Sequence, residues 1–463
     1  MCPPETPPLR VLLSPVPRWE TITLGLLLAL FVAVGLNAIS NDAFKGQDYS
    51  FHVGCTNRLL GRPDAWFAQD ATNRPLIYWI AIDGIFLTDN RAPFAFTAVV
   101  FLILNAGALG LLHDCSRRLI RSPVLRLSAV AFIALLPATV ITSVVFAADG
   151  MATPPFVLLC WGLLRWSEET SIFPATIYAA LAGLALVLGN FTKATFLMLP
   201  AGVLVVGVLA WRWRHVTRGH FLALVALGVC APAVVGGWLH LAARAALADE
   251  PPWHRFTWTG TGEMTWRSLF GLKPGDIRIF DAPGYWDTAG GNGQKVLPLL
   301  AANSYSYPAL LHLGIFTDVL DFAYRGSTDA GTPRPQPQKR FSQWAVRTGV
   351  VFSVAWVLAI VALIWRVRCA AHGPPQPPMF AATVCLVLGL TWFVPLVLTL
   401  PFIHHAYDWG YWLPRLILPA LWAFGLGFFC QIADLAGRKR LLISVVAGAV
   451  AVQCCLHLGS LWY

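Results

Sequence analysis

Read in a window of about 19 residues, the chain alternates long apolar runs with short polar breaks. The runs lie near 21–40, 93–113, 125–146, 152–167, 173–191, 194–211, 220–243, 344–365, 379–402, 412–433 and 441–462. Most approach the roughly 20 residues that carry a helix across a hydrocarbon core of about 30 Å. The pattern therefore predicts an all-α polytopic membrane protein with about eleven transmembrane helices. Two polar stretches, 41–92 and 244–343, are too long to be simple connectors. In the first, Tyr49, His52, Val53, Thr56, Leu59 and Leu60 recur at helical spacing, and Pro75 to Leu87 is almost wholly apolar yet too short to span. Both segments read as helices lying in the membrane interface. In the second, Trp253, Trp258, Trp266 and Trp286 are interleaved with Gly and Pro, and Pro333 to Gln338 forms a Pro-rich return. That stretch predicts a small irregular outer domain, dividing the chain into an N-terminal module (1–243), a loop domain (244–343) and a C-terminal module (344–463).

Composition narrows the class. Of 463 residues, 57% are hydrophobic and 12% charged, against about 25% charged in soluble domains, which excludes a soluble globular enzyme. The net charge of +10 has a topological explanation that makes nucleic acid an unneeded partner. Arg117, Arg118, Arg121, Arg126, Arg165, Arg212, Arg214, Arg218, Arg366, Arg368, Arg438, Lys439 and Arg440 all fall in short loops on the N-terminal side. The positive-inside rule makes that side cytoplasmic. The other face then receives both long loops, the short turns at Asp149, Lys193 and Asp408, and Tyr463. The first apolar run follows a Pro-rich start without a small-residue cleavage site and reads as a retained signal anchor. Ten Cys are present, mostly in or beside apolar runs and never as C-x-x-C, which argues against a disulfide framework or thiolate metal site. Arg far outnumbers Lys, a composition that suits a GC-rich genome and hence a bacterial inner membrane.

Ionisable groups at membrane depth are costly and mark function, and four places stand out at the outer boundary. Asp48 opens the first interfacial helix with His52 one turn later on the same face; the plain alternative is an N-cap. Asp149 occupies a tight outer turn before Gly150, where a turn Asp is common. Lys193, one of six Lys, sits between two apolar runs, where snorkelling is the structural alternative. Arg415 begins the tenth run within Tyr407-Asp408-Trp409-Gly410-Tyr411-Trp412-Leu413-Pro414-Arg415. A guanidinium there suits bidentate grip on a phosphate, with an interface anchor as the alternative. His404 and His405 precede this stretch, and adjacent imidazoles rarely address one ion, so a metal site on them is weakly supported.

The order of these features is more specific than any one of them. An acid after the first span, an x-Pro-Leu segment (Asn73-Arg74-Pro75-Leu76-Ile77-Tyr78-Trp79), an Asp opening the fourth span, a Thr-Lys opening the sixth and Tyr-x-x-Pro-Arg-x-x-x-Pro near the C-terminus resemble the glycosyltransferase C superfamily. The likeness is to the branch with protein O-mannosyltransferases and the lipid A aminoarabinose transferase. It covers residues 21–420 as topology and only those short stretches as motif. The resemblance implies a polyprenyl-phosphate-linked sugar donor, with Asp48 as catalytic base, Asp149 as the turn acid, and Lys193 and Arg415 near the donor phosphate. His52, Tyr407 and Asp408 are the accompanying substrate-binding candidates. Where that family often carries Asp-Glu in the first loop, Tyr49 follows Asp48 here.

The residues are consistent with that implication. Lys193 and Arg415 would neutralise a phosphate at headgroup depth, and Asp48 would accept a proton as an acceptor hydroxyl or amine attacks the anomeric carbon, inverting configuration. No dinucleotide or Walker-type Gly motif appears, in keeping with catalysis outside the cytoplasm. The acceptor stays open among lipid, glycan and protein, and a divalent metal ion held by Asp48, Asp149 and His405 stays open as well. A secondary transporter is the main alternative, but it places its charged or broken segments near mid-membrane in paired halves, whereas here they gather at outer ends. A lipid-linked glycan ligase or polymerase shares the same signals, and a non-catalytic scaffold would tolerate loss of Asp48.

Overall fold

A computed structural model of the chain describes residues 16–41, 43–45, 49–61, 75–213, 215–246, 270–281, 306–317, 336–369, 377–399, 414–436 and 439–461. Among these there is no strand. The first half supplies α1 (Arg18–Ser40), α2 (Tyr49–Gly61), α3 (Leu76–Leu87), α4 (Pro93–Leu119), α5 (Pro123–Leu135), α6 (Pro137–Thr142), α7 (Ala148–Glu168), α8 (Ile172–Thr192), α9 (Leu199–Arg212), α10 (Arg218–Ala223) and α11 (Ala231–Ala246). The second half supplies α12 (Tyr307–Phe316), α13 (Gln336–Cys369), α14 (Pro377–Thr399), α15 (Leu418–Ala436) and α16 (Arg440–Leu461).

Nine helices among the described residues are long and apolar enough to cross a membrane. They coincide with nine of the eleven apolar runs, and the other two runs are helical but altered. The run at 125–146 is split at Leu136, whose backbone is extended (φ −56°, ψ 130°) between α5 and α6. The cause is Pro137, because a residue before proline is forced out of the helical region. The run at 152–167 lies within α7, whose apolar character is diluted by Asp149, Pro154, Pro155, Arg165 and Glu168. These two imperfect helices are the ones that bring the chain to Asp149.

The first-loop helices form as the spacing predicts. On α2, Cys55 and Leu59 are buried, and on α3 Ile77, Tyr78 and Ala81, all in one cluster with Phe101 of α4 and with Phe146. Backbone N–H of Phe146 donates to the carbonyl of Phe44 (3.0 Å), pinning the start of the first loop to the segment before α7.

Most of the second loop lies outside the described residues. Its described part contains α12, capped by Ser306, whose Oγ accepts from the Ala309 N–H (3.3 Å). The helix buries Leu310, Leu313 and Phe316 in the main core. Asp276 fixes its entry: Oδ1 accepts from the Ser306 N–H (2.7 Å) and Oδ2 from the Lys273 N–H (2.9 Å). Gln336 to Gln338 already belong to α13, so the Pro-rich return ends sooner than the composition suggests. Trp253, Trp258, Trp266 and Trp286 lie outside the described residues.

At the end of the bundle where α1 begins, Glu20 is sealed from solvent. Its carboxylate accepts from Arg126 Nε (2.8 Å) and Nη2 (2.7 Å), and His113 Nε2 lies 2.9 Å from Oε1. Arg126 Nη1 donates onward to the carbonyls of Ile120 (3.1 Å) and Arg121 (3.0 Å). This clamp joins α1, α4 and α5. Removing one partner of a buried pair strands the other charge, at a cost of about 3–5 kcal/mol. Glu20→Ala is therefore expected to lower the thermal midpoint of the detergent-purified protein by several degrees; an unchanged midpoint would show that the clamp contributes nothing to stability.

Candidate active site

At the opposite end of the bundle, α7 starts after an extended Ala147 (φ −151°, ψ 162°), and Asp149 is in its first turn. The residue is thus the second of a helix, one position past the turn that the sequence suggests. A carboxylate there is favoured by the unsatisfied N–H groups and dipole of the helix N-terminus. The close approach depends on Gly150, because a Cβ there would lie 2.9 Å from the carbonyls of Thr142 and Val145 and 2.8 Å from the Phe101 ring.

Two cations from distant parts of the chain converge on this acid. Lys193 follows α8 in an extended conformation (φ −150°, ψ 139°), and a 3₁₀ turn, Ala194–Met198, then leads into α9. The turn folds back because Gly189 has no side chain: a Cβ there would sit 2.0 Å from the ring of Phe196. Arg415 belongs to a 3₁₀ turn, Pro414–Ile417, at the head of α15. Lys193 Nζ donates to Asp149 Oδ1, and Arg415 Nε lies 3.4 Å from Oδ2. Asp149 is 6% and Arg415 3% exposed. Burial weakens solvent screening, so each ion pair is far stronger here than at a surface.

His52 of α2 approaches the same cluster. Its Nδ1 is 3.0 Å from the Tyr78 hydroxyl, and both side chains are buried. The ring also makes an edge contact with Phe146 (5.8 Å) and lies within electrostatic reach of Asp149. Tyr49, Phe94 and Phe146 stack around it, with centroids 5.6 Å apart for Tyr49 and Phe94 and 4.9 Å for Phe94 and Phe146.

No protein-family model matches the sequence, and no curated protein matches it. Among solved structures, the archaeal oligosaccharyltransferase AglB from Archaeoglobus fulgidus, in complex with an inhibitory peptide and a dolichol-phosphate, superposes with a TM-score of 0.55. The two are 11% identical, over 96% of this chain and 56% of that one. A second Archaeoglobus fulgidus oligosaccharyltransferase structure, a complex with Zn and sulfate, gives a TM-score of 0.51 at 11% identity, over 94% of this chain and 53% of that one. The chain shares the fold of these archaeal oligosaccharyltransferases. ArnT from Cupriavidus metallidurans bound to undecaprenyl phosphate superposes at a TM-score of 0.38 and 14% identity, over 94% of this chain and 77% of that one. The chain spans about half the length of the oligosaccharyltransferases it matches.

Within this fold, the structure brings together Asp149, Lys193, Arg415 and His52. Asp48, Tyr407, Asp408, His404 and His405 lie outside the described residues. Among the described residues no group of three or more His, Cys, Asp or Glu stands ready for a metal ion. Asp149 itself does not suit a divalent cation, since its oxygens already face an ammonium and a guanidinium that would repel one.

Two residues that the sequence reading passes over belong to the site's support. Tyr78 is hidden in the apolar run of α3, and only a hydroxyl that needs a buried partner marks it. Trp392 of α14 is 2% exposed. Its ring makes edge contacts with Phe156 of α7 (5.7 Å) and Phe196 of the turn after Lys193 (5.0 Å), and its Nε1–H donates to the Leu416 carbonyl beside Arg415 (2.9 Å). One indole thus touches all three elements that carry the ion cluster. Trp392→Phe keeps most of the ring packing but strands the carbonyl, a loss of about 1–3 kcal/mol. A clear drop in the thermal midpoint in detergent is the expected outcome; a midpoint equal to wild type would show that the indole N–H is dispensable.

Proposed function

We propose that this protein is an integral membrane glycosyltransferase that moves a sugar from a polyprenyl-phosphate-linked donor to an acceptor on the extracytoplasmic face of a bacterial inner membrane. The observation that carries the reading is one buried carboxylate, Asp149, paired with two cations, Lys193 and Arg415, from separate elements. Two cations gathered at one point suit the negative charge of a donor phosphodiester. As the sugar leaves, the polyprenyl phosphate becomes a monoester with about −1.5 to −2 charges. The cations therefore hold the departing group more strongly than the donor, which is the requirement for lowering the barrier. The dolichol-phosphate named with the archaeal oligosaccharyltransferase of the same fold supports this ligand class.

In this reading the acceptor oxygen or nitrogen forms a bond to the anomeric carbon while the bond from that carbon to the phosphate oxygen breaks. The electron pair leaves with the polyprenyl phosphate, and the acceptor proton passes to Asp48, with inversion at the sugar. Asp149 orients Lys193 and Arg415, and His52, held by Tyr78, faces the sugar together with Tyr407 and Asp408. No step is routed through a metal ion. The acceptor class is a lipid, glycan or protein that bears a hydroxyl or amine.

The test is binding and turnover of a panel of polyprenyl-phosphate sugars by the protein in nanodiscs. Wild type and Asp48→Asn are expected to bind one donor alike, with only wild type releasing polyprenyl phosphate. Failure of every donor to bind the folded protein would remove the donor class, and normal turnover by Asp48→Asn would remove the base. Loss of a charge-assisted hydrogen bond is worth about 1.5–3 kcal/mol, so Lys193→Met is expected to weaken polyprenyl phosphate binding by at least about ten-fold. Arg415→Lys is expected to weaken it despite the retained charge, because the planar fork is lost. Unaltered affinity in both variants would leave these residues as membrane anchors only.

A further inference from the structure

Helix α7 carries a defect at the residue after Asp149. Within an α-helix the carbonyl of Gly150 should accept from the backbone N–H four residues on, but that residue is Pro154, which has none. Inside a membrane protein such an orphaned carbonyl has no water to turn to. The structure fills the gap from another helix: Asn105 of α4, 1% exposed, donates its Nδ2–H to the Gly150 carbonyl at 2.8 Å. The same amide donates to the Phe101 carbonyl of its own helix at 2.9 Å, so both its hydrogens are used and its orientation is fixed. Phe101 in turn abuts the Cα of Gly150. The first turn of α7, beside Asp149, is therefore tied to α4 at the point where its own hydrogen-bond ladder lacks a donor.

We infer that Asn105 is the positioning residue for Asp149: it replaces the donor removed by Pro154 and so sets where the carboxylate meets Lys193 and Arg415. The role assigned to Asp149 rests on the proposed donor-phosphate site, whereas the Asn105–Gly150 link stands on geometry alone. The residue after Pro154, Pro155, likewise has no N–H to offer the Met151 carbonyl.

The test is a double-mutant cycle between Asn105→Leu, which removes the donor at similar volume, and Pro154→Ala, which returns a backbone N–H to α7. Polyprenyl phosphate affinity and thermal midpoint are measured on all four proteins in nanodiscs. Asn105→Leu is expected to weaken binding by at least about ten-fold while the protein remains folded, the effect of stranding one buried carbonyl. Pro154→Ala alone is expected to bind like wild type, and the double variant to recover most of the loss, because the carbonyl regains a donor. A double variant that binds as poorly as Asn105→Leu, or an Asn105→Leu protein that binds like wild type, would overturn the inference. If wild type binds no polyprenyl phosphate, the proposed function fails, and the midpoints still decide the link: coupled losses keep it, and strictly additive ones overturn it.

Discussion

An ionised carboxylate shut away from water is tolerable only if opposite charge and hydrogen bonds replace its hydration, and Asp149 imposes that condition on the rest of this protein. Satisfying it requires an ammonium after α8 and a guanidinium before α15 to reach the same point, although these residues are hundreds of positions apart. Each comes from a place where a helix is interrupted: an extended Lys193 between α8 and a 3₁₀ turn, and a 3₁₀ turn at Arg415. Irregular backbone at membrane depth survives only where protein encloses it. The aromatic packing around Trp392 provides that enclosure, with an indole N–H for the one carbonyl next to Arg415. The departures from regular helix are therefore what deliver charges to a common point.

The prolines do related work on the other side of the acid. Pro137 breaks the third apolar run at Leu136; α6 then ends at Thr142, and the chain turns at Ser143 to Ala147 before α7 begins. The N–H of Phe146 in that turn binds the Phe44 carbonyl, tying the site to the segment that leads into the first loop. Interfacial helices α2 and α3 then lie over the turn with His52 and Tyr78 facing inward. The proposed binding of a lipid-linked phosphate would need an irregular surface of this kind, which the broken helices would supply.

Much of this was legible in the sequence, for identifiable reasons. Long apolar runs are set by the thickness of the bilayer, so each of the eleven runs overlaps a helix. Asp149, Lys193, Arg415 and His52 stood out because a charge or imidazole beside apolar residues is costly anywhere. What was hidden depended on pairing across the chain. Glu20 reads as an ordinary residue at a helix start until Arg126, over a hundred positions on, is seen to grip it. Trp392 and Tyr78 are apolar in any window, and only their polar tips matter. Helix α12 is ten residues long, too short to register as a span, and its neighbours' Gly, Pro and Trp dominated the reading of that loop. The break at Leu136 did have a local signal, since Pro137 restricts the preceding residue, but the unbroken hydropathy of the run masked it. Asp48 and the Tyr407–Asp408 stretch fall outside the described residues, so their roles rest on the sequence.

The two ends of the bundle apply one chemistry to different purposes. At the α1 end, Glu20 receives a two-pronged guanidinium and an imidazole, and Arg126 spends a further donor on two carbonyls. Charge and geometry are both closed there, which suits a staple between helices. At the other end, two cations share one carboxylate, and Arg415 meets it at 3.4 Å, an ion-pair distance longer than a charge-assisted hydrogen bond. Both cations thus reach one carboxylate from interrupted helices. In the proposed function a phosphate would arrive at cations that Asp149 already holds in place, which spares the cost of ordering them on binding.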